Sequence, residues 1–382
     1  MDFALTREQI AFRDAVRSFC AEHVTDELRR IGGTFGEEHY PPFYAKLAKQ
    51  GWIGMQWPRE YGGQGKSHTD MVLFYEEMAL AGAPIGRYNG SVVFVGSSII
   101  EFGSEAQKKK YLPRIAAGEL TCCWCLSEPN AGSDSASLQT MAREEDGHFA
   151  LDGQKVFISG AHIADYAMVA VRTNPDAPKR NGISLILVDM KSPGISINPI
   201  WTIGGWRVNA VFFENVRVPK DQLLGEKDKG WSNLLKTLNF ERSGIATVGN
   251  LMRFFDDLVE YVRSHSADIP EEDQMRLAEM KSHIEAARLF SYRVAYLQSQ
   301  GQIPDSEASM AKLFSSELTL QLGSLGMDIL GRAGVLGDDT APLHGNTERL
   351  YRAAQFYLTG GGTPEIQRNL IARRGLDLPR SV

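Results

Sequence analysis

The sequence predicts an α+β multidomain protein. We expect a helical N-terminal domain, an antiparallel β-barrel or sandwich in the middle and a C-terminal antiparallel four-helix bundle. Apolar residues recur at helical spacing to about residue 118, short alternating segments follow, and helical spacing returns after Gly225. No G-x-G-x-x-G joins a strand to a helix, so a Rossmann domain is not expected. The predicted domains are residues 1–118, 119–226 and 227–382.

The composition excludes several classes of function. A net charge of −6 over 382 residues and a sequence pI near 5.8 argue against nucleic acid or an anionic membrane as main partner. No apolar run approaches the roughly 18 residues of a membrane span, and the N-terminal MDFALTREQI lacks the pattern of a secretory signal. Four cysteines indicate a reducing compartment, so we expect a cytoplasmic protein or the mature form of a mitochondrial one.

Three of the cysteines, Cys122, Cys123 and Cys125, lie close together. A zinc site usually needs a second cysteine pair or histidines, and none follow at a suitable spacing. We therefore expect buried thiols on a strand and no metal site.

The N-terminal domain is predicted from two helix starts and an apolar face. Thr6-x-x-Gln9 and Ser104-x-x-Gln107 match the capping box. The residues of the first helix that recur at helical spacing, and are expected to be buried, are Ile10, Val16 and Phe19.

The middle domain is predicted from short apolar or alternating segments with close turns. They cover residues 149–158, 166–171, 183–188, 195–197 and 211–218. The loop Leu126–Asp134, LSEPNAGSD, offers the hydroxyls of Ser127 and Ser133 and a flexible Gly132. It fits a cradle for a phosphate or a heteroaromatic ring edge, and it fits an N-capping turn equally well.

The C-terminal domain is predicted from helical periodicity. One long helix carries the stripe Leu238, Glu241, Ile245, Val248, Met252, Phe255, Val259 and Val262. Further helices are expected at about 271–300, 305–331 and 346–358, with a last one from Pro364. The stripe would bury Glu241 and raise its carboxyl pKa, which suits a base. A salt bridge to a buried arginine, or partial exposure near the helix start, is the alternative, and helix position alone favours it.

A glycine turn precedes the last helix, within Phe356–Arg368. Thr363 can cap the helix, Pro364 fits its first position, and Glu365 suits the positive end of the helix dipole. Glycines there let a ligand approach unpaired backbone N–H groups. Taken alone, an ordinary turn between two helices is the better interpretation.

Four motifs in order resemble the acyl-CoA dehydrogenases: LSEPNAGSD, KVFISG from Lys155, VFFENVRVP from Val211 and RAAQFYLTGGGTPEIQRNLIARR from Arg352. The resemblance spans about residues 5–375. It implies the same three-domain architecture, FAD as cofactor, an acyl-CoA substrate, and electron transfer to an electron-transferring flavoprotein. It also implies a homotetramer.

The resemblance assigns the residues near the flavin ring. They are Trp124, Leu126 and Ser127 at the pyrimidine side, Phe157, Ile158 and Ser159 beside the isoalloxazine, and Thr363 and Glu365 in the glycine turn. Arg263 and Gln274 fall where a neighbouring subunit's FAD diphosphate and adenine half are held. Ile329 and Gly331 belong to the same distal side, where Asp328 and Arg332 depart from the family pattern, as does Ser266-Ala267.

The resemblance also assigns the substrate and catalytic residues. Ser133 matches a serine that contacts CoA, and Asn239, Arg242 and Gly362 are the other expected substrate contacts. Gly361 stands where many members carry the catalytic glutamate. A second group, resembling the isovaleryl- and long-chain enzymes, places the base immediately before an arginine on another helix, which here is Glu241.

The resemblance thus makes Glu241 the base, with the backbone N–H of Gly361 as a donor to the thioester oxygen. Three alternatives stay open. The departures at residues 263–274 and Arg332 fit one subunit of an unlike-subunit tetramer, as among relatives acting on steroid side chains or dicarboxylic acids. A flavin-dependent monooxygenase would have no need of a buried Glu241. A non-enzymatic acyl-CoA-binding protein would purify without colour.

Overall fold

The computed structural model describes residues 4–32, 40–241 and 244–379, with the backbone alone for residues 31, 32, 87 and 238–241. Helices come first, strands follow and helices return, in the order that the sequence predicts. The divisions after residues 118 and 226 fall between a helix and a strand in each case. No helix in these described ranges is long and apolar enough to cross a membrane.

The N-terminal helices are α1 Arg7–His23, α2 Asp26–Gly32, α3 Pro41–Lys49, α4 His68–Ala81, α5 Gly86–Tyr88, α6 Ser97–Phe102 and α7 Glu105–Ala116. A π-helical segment, Asn89–Gly96, joins α5 to α6. Both predicted capping boxes are present. Val16 and Phe19 are buried as predicted, but Ile10 is 39% exposed. Phe12 takes its place, because Phe12, Val16 and Phe19 share one face and Ile10 lies about 200° round the helix from Phe12.

The strands are β1 Cys122–Cys125, β2 Met141–Glu145, β3 His148–Ser159, β4 Tyr166–Arg172, β5 Ile183–Asp189, β6 Ile195–Trp201, β7 Arg207–Pro219 and β8 Leu223–Leu224. They form one sheet in the order β6-β7-β3-β2-β4-β5-β8, with β1 beside β4. The pairing is antiparallel as predicted, except that β1 and β2 each pair parallel with β4. Strand β2, MAREE, escapes prediction because only its Ala142 is buried.

The C-terminal helices are α8 Gly230–Glu241, α9 Ile245–Ser264, α10 Glu271–Ser299, α11 Asp305–Leu330, α12 Asn346–Thr359 and α13 Pro364–Leu370. The prediction of one long helix through Glu241 and Ile245 is wrong. Helix α8 ends at Glu241, and Gly244, in the left-handed conformation with φ 67°, begins α9. The buried stripe from Ile245 to Val262 therefore belongs to another helix and gives no reason to bury Glu241.

Helix α4 lies at the centre of the helical core. Every residue from Met71 to Ala79 is buried. Two of them are carboxylates, and each has an arginine partner: Arg288 of α10 pairs with Glu76, and Arg17 Nε of α1 lies 2.7 Å from Glu77 Oε2. These pairs tie α1 and α10 to α4, so the two helical domains share one framework around the sheet.

Candidate active site

A buried ion pair stabilises the loop Leu126–Asp134. Lys155 is fully buried, and its Nζ donates to Glu128 Oε1 at 2.8 Å and to the Leu126 carbonyl at 3.1 Å. Glu128 also accepts from the backbone N–H groups of Gln139 and Thr140, at 2.6 and 2.9 Å. These contacts fix the backbone of the loop on the edge of β3.

Burial and the ion pair shift the pKa of each group in opposite directions. Burial lowers the pKa of Lys155, against the attraction of Glu128. Burial would raise the pKa of Glu128, but the charge and hydrogen bond of Lys155 and the bonds from the loop outweigh it and lower this pKa. Glu128 is therefore a carboxylate at neutral pH.

The loop was predicted to be either a cradle for a ligand or a local capping turn, and its two ends differ in this respect. Asp134 acts locally, since Ser137 Oγ donates to its carboxylate at 2.5 Å and Lys179 pairs with it. At the other end, the Ser127 carbonyl accepts from Val156 N–H at 2.9 Å, which joins the loop to β3. Ser133 lies exposed near the local end.

Phe157 projects from a bulge in β3. Pairing with β7 shifts register between Lys155 and Ile158, and Phe157 has φ 61°. An aromatic residue in this region of backbone conformation is strained, and such strain concentrates at functional sites. Its ring is 62% exposed, whereas Ile158 beside it is buried. Phe157 thus presents an aromatic face that can stack on a planar ring.

Trp124 has a buried indole Nε1 with no hydrogen-bond partner among the described residues. Its ring packs against Phe94 with centroids 4.6 Å apart. A buried donor without a partner is rare and indicates an absent acceptor. The donor of Trp124, the fixed backbone of Leu126 and Ser127, and the exposed face of Phe157 together fit a heteroaromatic ring with acceptor edges, as a flavin has. Ser159 is half-buried at the end of the same strand.

The glycine turn is shaped by two backbone conformations that only glycine adopts readily. Gly361 has φ 71° and Gly362 has φ 102°. Thr363 caps α13 as predicted, accepting from Ile366 N–H at 3.5 Å. Glu365 is exposed, and the helix's own N–H and the Thr363 hydroxyl lower its pKa, so it acts as part of the helix start.

Two side chains that the sequence did not single out hold this turn. Gln367 is buried, and its Nε2 donates to the carbonyls of Gly361 and Gly362 at 3.0 and 3.4 Å. Lys312 Nζ of α11 donates to the carbonyls of Tyr357 and Leu358 at 3.2 and 3.1 Å. Gln367 could have been found from its place in the motif, four residues after the cap. Lys312 is 45 residues from Tyr357 and gave no local signal.

The β domain reaches the glycine turn through the hairpin between β6 and β7. Trp206 is buried, with its ring edge-on to Phe356 at 4.9 Å and to Tyr357 at 5.7 Å. Arg352 Nη1 donates to the Ile203 carbonyl at 2.5 Å. The end of the sheet that carries Phe157 is thereby fastened to α12 and the turn.

The residues expected on the distal side of the cofactor have partners of their own. Arg263 is exposed and lies 3.9 Å from Glu260, and Gln274 Nε2 donates to the Ile269 carbonyl at 3.0 Å. Asp328 pairs with Arg276 at 2.9 Å. Of the other residues expected on this side, Ile329 is buried in the core, whereas Gly331 and Arg332 are exposed. Ile329 can therefore offer a cofactor only its backbone.

The predicted base lies at the end of α8. The side chains of Asn239 and Glu241, and all of Arg242, are outside the described residues, so their roles stay predictions. A cavity of about 300 Å³ opens beside this point. Its wall includes Gly244–Thr247, the first turn of α9, together with Tyr75 of α4 and Asn89. Among the described residues, no cluster of His, Cys, Asp and Glu could hold a metal ion.

Comparison with known proteins matches the chain along its length. Family profiles for the acyl-CoA dehydrogenase N-terminal, middle and C-terminal domains match residues 6–119, 123–216 and 228–376. Acyl-CoA dehydrogenase FadE26 of Mycobacterium tuberculosis is 34% identical over all of both chains. Two solved structures are similarly related, each 34% identical over all of both chains. They are the Tcur3481-Tcur3483 steroid ACAD, with a TM-score of 0.92, and the ChsE4-ChsE5 complex from Mycobacterium tuberculosis, with 0.90.

Proposed function

The chain belongs to the acyl-CoA dehydrogenase family, flavin-dependent oxidoreductases of acyl-CoA thioesters, and we propose that it desaturates its substrate between Cα and Cβ. FAD is the proposed cofactor and electron-transferring flavoprotein the proposed electron acceptor. The cytoplasm is the proposed compartment, from the low cysteine content. The proposal rests on three neighbouring features. Phe157 is exposed and strained, the Trp124 N–H is buried without a partner among the described residues, and a buried ion pair fixes the loop between them in sequence.

The chain's own residues would hold FAD by its ring. Phe157 would stack on one face, Trp124 Nε1 would donate to an acceptor edge, and the backbones of Leu126 and Ser127 would line the pyrimidine side. The Ser159 hydroxyl is available to the central nitrogen. When bound, FAD accepts the hydride that leaves Cβ.

Proton removal is assigned to Glu241 and its assistance to the glycine turn. The α-proton of a thioester is weakly acidic, so the developing enolate oxygen needs donors. The Gly361 N–H is one, and a donor of this kind contributes about 3 kcal/mol. Gln367 supports the turn that carries it, because its amide donates to the carbonyls of Gly361 and Gly362, which flank Gly362. Glu241 takes the α-proton and the product is a 2,3-enoyl-CoA.

The test is Glu241→Gln, which keeps the shape of the side chain and removes the base. We expect the variant to purify yellow with normal FAD content and to lose bleaching of the flavin absorbance by acyl-CoA under anaerobic conditions. Glu271→Gln, an exposed position at the start of α10, is the matched control and should bleach normally. Normal bleaching by the Glu241→Gln variant would show that Glu241 is not the base.

We propose a homotetramer, with one subunit of a heterotetramer as second candidate. The second candidate is supported by two features: Asp328 is engaged by Arg276, and Gln274 donates to its own loop. Both are residues expected at the distal half of FAD. Two similar structures, the Tcur3481-Tcur3483 steroid ACAD and the ChsE4-ChsE5 complex, are also named for two chains each. The chain purified alone decides between them: a homotetramer binds about one FAD per 42.3 kDa chain, whereas a subunit that lacks its partner binds markedly less.

The remaining alternatives make different predictions for the same preparation. A flavin-dependent monooxygenase would consume oxygen with reduced flavin and form no enoyl-CoA. A non-enzymatic acyl-CoA-binding protein would be colourless yet bind the thioester. Neither accounts for Glu241 standing immediately before Arg242, as the base does in the isovaleryl- and long-chain-type members that the sequence resembles.

A further inference from the structure

We propose that the acyl group of the substrate carries a neutral oxygen function, a hydroxyl or keto group, at its far end, which Trp57 and Gln56 receive by hydrogen bonding. This inference rests on the proposed function and names the class of acyl group. It starts from the cavity of about 300 Å³ beside the first turn of α9.

The cavity extends from the neighbourhood of the predicted base into the helical core. Gly244, the third residue after Glu241, forms part of its wall. Part of the remaining wall is apolar, with contributions from α4, the π-helical segment, α6 and α9: Met71, Val72, Val93, Ile100 and Ile245. Such a lining suits a hydrocarbon chain or ring. Polar residues, among them Asn89, Ser97 and Thr247, also line the cavity, as do Gln56 and Trp57 in the segment before α4.

Trp57 is held rigidly with an unused donor. Its side chain is 2% exposed, and its benzene ring lies against two glycines. A Cβ added to Gly54 would stand 2.3 Å from Trp57 Cε3, and one added to Gly96 would stand 2.2 Å from Cζ2. Trp57 is also one of the residues that line the cavity. Nε1 has no hydrogen-bond partner in the part of the chain that the structure describes.

Gln56, the preceding residue, also lines the cavity and carries an acceptor. Its Oε1 is also buried and without a partner. Buried polar groups are normally paired, because leaving them unpaired costs free energy. A plain hydrocarbon chain would leave both groups unsatisfied. A hydroxyl oxygen accepts from Trp57 Nε1 and donates to Gln56 Oε1, and a keto oxygen accepts from Trp57, so an oxygenated acyl group is favoured over its hydrocarbon analogue.

The charges around the cavity favour a neutral group over a carboxylate. Lys66 Nζ lies 4.7 Å from the centre of the Phe12 ring, and Glu101 contributes a negative charge 3.8 Å from Lys236. Burial lowers the pKa of His68, which is therefore neutral at pH 7. The wall thus has no cluster of positive charge for a terminal carboxylate.

The experiment measures binding by anaerobic titration calorimetry to the FAD-loaded enzyme, whose flavin is reduced beforehand with dithionite so that acyl-CoA cannot reduce it. Unsubstituted acyl-CoAs from hexanoyl to dodecanoyl are compared with their ω-hydroxy and (ω−1)-oxo counterparts. We expect a preference of about tenfold for an oxygenated form at the chain length that reaches Trp57, the effect of one buried hydrogen bond. Trp57→Phe removes the N–H and keeps an aromatic ring, and it should abolish that ratio. Trp52→Phe, a buried indole of the same core that does not line the cavity, should preserve it.

Two results would overturn the inference: a wild-type enzyme with no preference at any length, or a Trp57→Phe enzyme that keeps the preference. Failure of the proposed function gives a different pattern. In that case acyl-CoAs bind, with or without the preference, but none of them bleaches the flavin. The ratio of dissociation constants is read without turnover, so the two outcomes are separable.

Discussion

The ion pair of Lys155 and Glu128 is the residue-scale feature on which the flavin loop depends. Both groups are buried, so each charge is stabilised by the other and by the backbone of the loop. Their contacts reach Leu126 on one side and Thr140 on the other. A change in either charge is therefore transmitted to the loop backbone.

Removing one charge of this pair should be costly, and removing both should be tolerated. Lys155→Met leaves a buried carboxylate unpaired, so we expect a loss of about 3–5 kcal/mol in the free energy of unfolding. Adding Glu128→Gln should recover most of it, because glutamine keeps an oxygen for the N–H groups of Gln139 and Thr140. Urea unfolding of the FAD-loaded proteins measures both.

Lys179→Met is the matched control, since Lys179 and Asp134 form an exposed pair. Its cost should stay within about 1 kcal/mol. A double variant as unstable as the single one would show that the pair's charges do not govern the loop. FAD content, measured in parallel, reports whether a stable double variant still holds the ring.

At the scale of elements, the break between α8 and α9 decides where the predicted base stands. Gly244 has φ 67°, and a Cβ there would meet only Ser315 Oγ at 3.7 Å. Any other residue would therefore be strained by its backbone and not by a clash. The break ends α8 at Glu241, so the geometry of Gly244 and the position of the base are linked.

Gly244→Ala should consequently affect stability and catalysis together. Forcing alanine into the left-handed conformation costs about 1–2 kcal/mol, and a helix that straightens to avoid it would move Glu241. Gly301→Ala has the same conformation, φ 71°, in open space away from the site. Both variants should lose similar stability in thermal unfolding, but only Gly244→Ala should slow flavin bleaching. Equal bleaching rates would contradict the link.

The sequence predicted the elements whose starts have local chemistry. The capping boxes at Thr6 and Ser104 and the start at Pro364 are correct, because each is determined by residues within one turn. The break at Gly244 was missed because apolar residues keep the same helical spacing on both sides of it. Ile10 was misjudged because spacing alone did not fix which face of α1 is buried.

The site was predictable only in part, for a similar reason. The motifs indicated Trp124, Phe157 and the glycine turn, but not the strain at Phe157 or the unpartnered N–H of Trp124, which depend on sheet register and packing. Lys312 and Trp57 act across long stretches of chain, so no local pattern marks them.

At the scale of the whole molecule, carboxylates with lowered pKa values join distant parts of the chain. Lys220 and Lys227 hydrogen-bond to Glu144 and lower its pKa to about 2 from an ordinary 4.5, which links β2 to the segment before α8. The pKa of Glu128 is also lowered, because its partners, Lys155 foremost, outweigh the effect of burial. The pKa of Asp338 is lowered by a local partner, Thr340. The pKa of Asp257 is shifted in the opposite direction, since burial raises it.

This balance predicts an acid-labile enzyme. A carboxyl whose pKa is lower in the folded state contributes stability that is complete above its unfolded pKa and is lost as pH falls through the folded value. The free energy of unfolding should begin to fall below about pH 6.5, because burial lowers the pKa of His68, and should fall further from about pH 5 towards pH 2, where Glu144 protonates. Because protonation of Glu128 breaks its pairing with Lys155, flavin release should accompany the fall. Urea unfolding and flavin absorbance across this range test both, and a stability that holds constant or rises below pH 5 would mean that the raised groups such as Asp257 dominate.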